Sequence, residues 1–332
     1  MRTIYLEGIN KPFELVERPK PVPAAGEVLV QVKAAALNRR DVWIQYGKYF
    51  TKDYPAVLGS DGAGVVTELG TGVPADWLGQ AVLIDPTTDW GDNLQVQAPQ
   101  FKVLGMPQAG TFADYVLVRA GNLHPKPEHL SFEEAAALPL AGVTAWRALF
   151  GKCRLQPAEK VLVTGAGGGV ALFALLFGVA AGAEVWVTSG SQEKIDRARA
   201  LGAAGGISYQ AENWGKELKA LTGGFDVCID GAGGDGFVQL VKLAMPGGRI
   251  GIYGGTTGLI GQLNPAEIFW KQLSIFGSTM GTNQDFANML AFVQEKQLRP
   301  VIDRVFPLQE AEQAMRYMES NQHFGKILLQ VK

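Results

Sequence analysis

Two hydrophobic patterns divide this chain. Over its first third, short apolar runs stand between Gly, Pro and Asp: residues 28–32 (VLVQV), 57–58 leading into Gly62–Gly64, 65–69 and 81–84. Residues 111–118 read as one more strand, ending at 119–122. Short strands at close spacing with turn signals predict a β-rich barrel or sandwich-like unit. Residues 86–106 lack any period and read as a long loop.

The period changes near His124–Pro127. Ser131 followed by Glu133 and Glu134 predicts a capped helix start with an acidic first turn. From Lys160 onward strands alternate with helices: strand 161–164, helix 170–181, strand 184–188, helix 192–201, strand 226–229, helix 237–243, strands 249–253 and 275–278. This alternation predicts an α/β fold with a doubly wound parallel sheet. The tail predicts amphipathic helices at 285–296 and 308–320, and a closing strand at 326–331 that returns to the first domain.

Bulk properties narrow the classes. The chain has 332 residues, about two domains' worth. A 47% hydrophobic, 19% charged composition excludes a disordered chain. A net charge of −2 supplies no basic field for nucleic acid or an anionic membrane. Cys153 and Cys228 are too few for a disulfide framework and read as buried small hydrophobes. No apolar stretch predicts a signal peptide, and the longest one, 170–183, is interrupted by Gly178 and Gly182. The expectation is a cytoplasmic protein with neither membrane nor nucleic-acid partner.

The strongest chemical signal is residues 161–171, VLVTGAGGGVA, where a strand runs through a glycine cluster into an apolar helix. Gly165, Gly168 and Ala171 keep a G-x-x-G-x-x-A spacing: tight turn, backbone approach to a pyrophosphate, and helix-on-strand packing. Gly167, Gly169 and Val170 complete the phosphate-facing turn. The next strand ends in Ser189–Gly190–Ser191, without the carboxylate that would hold an adenosine ribose. Hydroxyls there, with Lys194 one turn on, suit a 2′-phosphate and favour NADPH over NADH. The alternative is that Ser189 caps the helix and Lys194 is a solvated lysine.

The motifs LNRRD (37–41), LGSDGAGVV (58–66), GVTAW (142–146), the glycine fingerprint, LGA (201–203) and FGKI (324–327) resemble the medium-chain dehydrogenase/reductase superfamily, in order and over nearly the whole chain. The resemblance implies a Rossmann domain, 125–276, inserted in a β-rich GroES-like catalytic domain, 1–124 and 277–332. It implies an active site in the cleft between them, and commonly a homodimer or homotetramer. Zinc-dependent members would carry Cys where Asn38 stands and a His–Glu pair where Ser60–Asp61 stand, and loop 86–106 holds no cysteine. No metal is therefore expected, and the branch resembled is that of the zinc-free quinone oxidoreductase-like enzymes.

The resemblance places Asn38, Asp41 and Tyr49 on the substrate side: an amide donor, a supporting carboxylate that could pair with Arg39 or Arg40, and a proton-donating phenol. A turn-forming Asn and a half-buried Tyr are the structural alternatives. Arg39 and Arg40 fit either a polar or anionic substrate or a salt bridge. Thr144, read as starting a helix, is expected at the nicotinamide end. Gly254, Gly255 and Thr256 follow a strand and are expected near the cofactor. Tyr209 and Lys326 match cofactor-side positions, or are ordinary exposed residues. Trp43, Phe50, Trp90, Phe269 and Trp270 are candidate pocket walls. The expected activity is NADPH-dependent reduction of a quinone or α,β-unsaturated carbonyl. The alternatives are an enoyl or alkenal C=C reductase, and a non-catalytic NADPH-binding sensor or scaffold.

Overall fold

The computed structural model describes residues 1–50 and 52–331. It divides into unit 1, Met1–Ala141 with Thr282–Lys332, and unit 2, Gly142–Gly281.

Unit 1 opens with the antiparallel hairpin β1 (Arg2–Leu6) and β2 (Phe13–Glu17). Its centre is β3 (Glu27–Ala36), where the predicted alternation at 28–32 runs on through Ala34, Ala35 and Ala36, all fully buried. After it come α1 (Arg39–Gln45), β4 (Asp61–Leu69), β5 (Ala81–Ile84), the two-residue pair β6 (Thr87–Thr88) and β7 (Lys102–Val103), β8 (Tyr115–Arg119) and β9 (Leu123–Pro125). Strand β3 pairs antiparallel with both β4 and β8. The β6–β7 ladder pins the segment that reads as a loop. Thr111 and Phe112 fall short of the expected strand because their N–H groups bond to the carbonyls of Gly59 and Leu58. Only glycine fits at 59: its φ is +96°, and a Cβ would lie 2.5 Å from Phe112 and Thr111.

Helix α2 (Phe132–Ala137) starts as read, with Ser131 accepting from the Glu134 N–H at 3.1 Å and its own N–H donating to that carboxylate at 2.8 Å. Ala137 packs with Ala36 and Leu328, so α2 belongs to unit 1. The chain leaves unit 1 at 141, not at 124, because an alanine-faced helix closes on an alanine-faced strand.

Helix α3 (Pro139–Trp146) leads into unit 2. There follow β10 (Lys160–Val163), α4 (Gly169–Ala180), β11 (Glu184–Ser189), α5 (Gln192–Ala200), β12 (Gly205–Ser208), α6 (Trp214–Thr222), β13 (Phe225–Asp230), α7 (Gly236–Leu243), β14 (Ala244–Ile252), α8 (Pro265–Phe269) and β15 (Ser274–Gly277). The sheet order is β12-β11-β10-β13-β14-β15 and every pairing is parallel, the doubly wound arrangement the alternation predicts. Strand β12 is not among the elements read from the sequence; in it Gly205 makes room for the Trp186 ring.

The chain returns to unit 1 through α9 (Asn283–Glu295), β16 (Ile302–Pro307), α10 (Ala311–Glu319) and β17 (Lys326–Gln330). Strand β17 lies parallel to β16 and antiparallel to β3, as the closing strand was expected to do. Among the described residues no helix is long and apolar enough to cross a membrane.

Candidate active site

In unit 2 the turn from β10 to α4 is built from backbone. Gly165 and Gly167 take φ of +70° and +130°, conformations that side chains oppose. The Ala166 N–H is held by the Thr188 carbonyl at 2.8 Å and the Gly168 N–H by the Gly165 carbonyl at 3.3 Å. Among the described residues no acceptor takes the N–H groups of Gly167, Gly169, Val170 or Ala171. The helix has no side-chain cap and no acidic residue in its first turn. Bare donors at the positive end of a helix fit a pyrophosphate. Beside this turn, Thr164 Oγ1 donates to Asp230 Oδ1 at 2.6 Å, and that carboxylate also takes the N–H groups of Ala232 and Gly233.

At the end of β11 the cap is Ser191, whose hydroxyl accepts the Lys194 N–H. Ser189 is neither the cap nor a free donor: it is buried, and its Oγ donates to the Ala166 carbonyl at 3.1 Å. Tyr209 is half exposed, with its phenol against Gly190, where a Cβ would lie 2.7 Å from the oxygen. Gly190, Ser191, Lys194 and Tyr209 thus gather at one place. Gly254 does make a close approach, but to backbone: a Cβ there would lie 2.9 Å from the Gly231 carbonyl, and Thr256 N–H donates to the same oxygen. A Cβ at Gly255 would lie 3.9 Å from the Gly258 carbonyl oxygen. Thr144 is buried in the body of α3, not at its start.

Unit 1 holds the other cluster. Asn38 precedes α1, and its N–H donates to Asp41 Oδ2 at 2.8 Å, so Asp41 caps the helix. No ion pair joins Asp41 to Arg39 or Arg40 among the described residues; Arg39 instead reaches Asn321. Asp41 is fully buried, its Oδ1 has no partner among the described residues, and burial pushes its pKa up to about 6, against the pull of Arg40.

Lys326, expected on the cofactor side, is not an ordinary exposed residue. It is buried, and its ammonium donates to the Leu37 carbonyl at 2.8 Å, Asn38 Oδ1 at 2.7 Å and Asp61 Oδ2 at 2.9 Å. All three of its protons are spent within unit 1. With Oδ1 facing a cation, the Asn38 amide is oriented: one Nδ2–H goes to Asp61 Oδ2 at 2.9 Å and the other stays available. Asp61 Oδ1 takes the Leu140 N–H at 2.8 Å.

Arg40 is buried as well. Its Nη1 donates to Ser60 Oγ at 2.5 Å and to the Leu104 carbonyl at 2.9 Å, and its guanidinium carbon lies 4.8 Å from the Tyr49 ring centre. The sequence offers Arg40 either for a polar or anionic substrate or for a salt bridge; it does not single out Ser60 and Asp61 as participants, although the adjacent LNRRD and GSD motifs were the available signal. The proposed pocket walls disperse. Trp90 is core to its own loop against Phe101, whereas Phe50, Phe269 and Trp270 are exposed.

Zinc does not fit this donor set. The three side chains at the ligand positions are an amide, a hydroxyl and a carboxylate, and two cations already claim their oxygens: Lys326 on Asn38 and Asp61, Arg40 on Ser60. Both thiols are buried in unit 2, where burial pushes Cys153 up to about 12 and Cys228 higher still.

The fold is that of a two-unit dehydrogenase, and comparison with known proteins agrees. An alcohol dehydrogenase GroES-like domain matches residues 24–128, and a zinc-binding dehydrogenase domain matches 169–295. A zinc-type alcohol dehydrogenase-like protein of Schizosaccharomyces pombe is 37% identical over 334 residues, covering 96% of this chain and 94% of the relative. The quinone oxidoreductase of Rattus norvegicus is 32% identical over 319 residues, covering 93% and 90%. A crystal structure of an NAD-dependent alcohol dehydrogenase is 40% identical, with a TM-score of 0.94 over 100% of both chains. The chain belongs to the medium-chain dehydrogenase/reductase superfamily and is an oxidoreductase.

Proposed function

We propose that this protein is a zinc-independent reductase of quinones or α,β-unsaturated carbonyl compounds that uses NADPH. The observation that carries the reading is the pair of buried cations, Lys326 and Arg40, seated on the oxygens that a metal would need. Alcohol oxidation calls for a metal or strong base to make an alkoxide. Hydride delivery to an electron-poor acceptor calls mainly for orientation and hydrogen bonds. NADPH, when bound, supplies the hydride.

Unit 2 holds the pyrophosphate on the bare N–H groups of Gly167, Gly169 and Val170, with Gly165 and Gly168 keeping the turn open. Ser191, Lys194 and Tyr209 take the 2′-phosphate, where no carboxylate terminates β11. Ser189 acts by fixing the glycine turn through Ala166. Gly254, Gly255, Thr256 and Thr144 border the nicotinamide end. In unit 1 the free Asn38 N–H polarises the acceptor carbonyl, and the Tyr49 phenol donates the proton that accompanies reduction. Lys326 and Asp41 hold the Asn38 side chain and backbone in place. Assembly as a homodimer or homotetramer would cover the open edge at β15, beside exposed Phe269 and Trp270.

The test is NADPH oxidation by the purified protein against a panel of quinones and alkenals, with and without chelator. Turnover that survives chelation is expected. Turnover abolished by chelator would overturn the metal-free reading, and tight NADPH binding without turnover of any acceptor would make the protein a sensor.

A further inference from the structure

The Arg40 guanidinium has a side that no described residue satisfies. Nη1 is committed to Ser60 Oγ and the Leu104 carbonyl, both neutral. Nε and Nη2 are buried, and among the described residues neither has a hydrogen-bond partner. These two N–H groups point the same way and form the edge of the guanidinium that grips a carboxylate with two parallel bonds. Arg40 as a whole is 8% exposed, so water does not make up the loss. No carboxylate bonds this edge either: Asp61 is taken by Lys326, and Asp41, though Arg40 attracts its charge, makes no ion pair with it among the described residues. A buried cation bonded only to neutral oxygens, with two donors idle, is an unfinished site.

Its neighbours say whose site it is. Arg40 follows Asn38 by two residues, and Tyr49 lies against the guanidinium face. Tyr49 is half-buried and stacks on Phe50, which is 77% exposed, at 4.4 Å. We propose that the Nε–Nη2 edge of Arg40 binds a carboxylate carried by the substrate, so that the acceptor is an unsaturated carbonyl compound bearing an acid group. This rests on the reductase reading above and narrows its substrate class. The carboxylate replaces the missing partner of Arg40, while the conjugated carbonyl of the same molecule is left for the free Asn38 N–H. Tyr49, packed against the guanidinium, stays in place as the proton donor.

The experiment uses acetylacrylate, its methyl ester, and the reduced product levulinate with its methyl ester. For the wild-type protein, kcat/KM with NADPH should favour the acid over the ester by about tenfold or more, and Arg40→Gln should cut that ratio by about tenfold. Arg40→Lys, a point charge without the fork, should retain part of the preference. Calorimetric binding to the NADP+ complex gives a reading free of turnover: levulinate should bind more tightly than its ester in the wild type and not in Arg40→Gln. Arg40-dependent binding of levulinate without reduction of any acceptor would retain the site and overturn the hydride chemistry. Equal treatment of acid and ester by the wild-type protein, or an unchanged preference in Arg40→Gln, would overturn the site.

Discussion

The glycine turn of unit 2 and the polar cluster of unit 1 are built by opposite means. The turn uses one uninterrupted stretch, residues 164–171, and offers backbone N–H groups. The cluster draws Asn38, Arg40 and Asp41 from α1 and its start, Ser60 and Asp61 from the head of β4, Leu104 from a loop, and Lys326 from β17. It works through side-chain charge. Backbone donors carry no charge to bury, so the turn needs only glycine's freedom and a helix behind it. Buried charges must each find a partner, so the cluster ties distant strands together and is sensitive to the loss of any member.

Lys326→Met tests that difference most severely. It leaves Asp61 buried without its cation, and should destabilise unit 1 by about 3–5 kcal/mol, read by denaturant unfolding. A variant of undiminished stability that binds NADPH poorly would return Lys326 to the cofactor side. Next comes Gly168→Val. Its φ of −74° suits any residue and a Cβ meets nothing closer than 3.8 Å, so the fold should hold. The added bulk enters the space a pyrophosphate would use, and NADPH affinity should fall about 100-fold, near 3 kcal/mol. Unchanged affinity would remove the turn from cofactor binding.

Asp41→Asn sharpens the comparison through pH. Burial raises the pKa of Asp41 in the fold to about 6, from the 3.8 usual for a free aspartate. Between those values the native state keeps a proton that the unfolded chain has released, so this group's contribution to stability is lost as pH rises through the window. The variant should be more stable than wild type by about 1–3 kcal/mol at pH 8 and equal to it below the window, in thermal unfolding followed against pH. A difference independent of pH would mean that Asp41 releases its proton at the same pH in the fold as in the unfolded chain. The smallest effect is at the end of β11. Lys194→Ala should weaken NADPH about tenfold, near 1.4 kcal/mol, and NADH much less; equal losses would dismiss the 2′-phosphate role.

Much of unit 2 is legible before any coordinates. The strand at 161–164, the helix at 170–181 and the strand at 184–188 each lie within a residue or so of β10, α4 and β11. Period and glycine spacing are local properties, and so is the Ser131 cap. Unit 1 is read less well. Residues 111–118 were expected to form a longer strand than β8, because the pairing of Thr111 and Phe112 with Gly59 and Leu58 is decided by chain segments far apart. Thr144, Ser189 and Lys326 were placed by position in a motif, and motif position carries no information on which donors are already spent.

The sequence by itself determined the two-part organisation, the parallel sheet, the glycine turn and the absence of thiolate and imidazole at Asn38 and Ser60. These follow from residue type and from spacing along the chain. Only the tertiary structure decided that Lys326 closes on Asn38 and Asp61, that Ser189 serves the turn while Ser191 caps the helix, and that Arg40 keeps one edge unpaired. A hydrogen bond between residues 288 apart, such as Lys326 to Asn38, depends on which strands lie side by side. The pattern of a single segment cannot carry that.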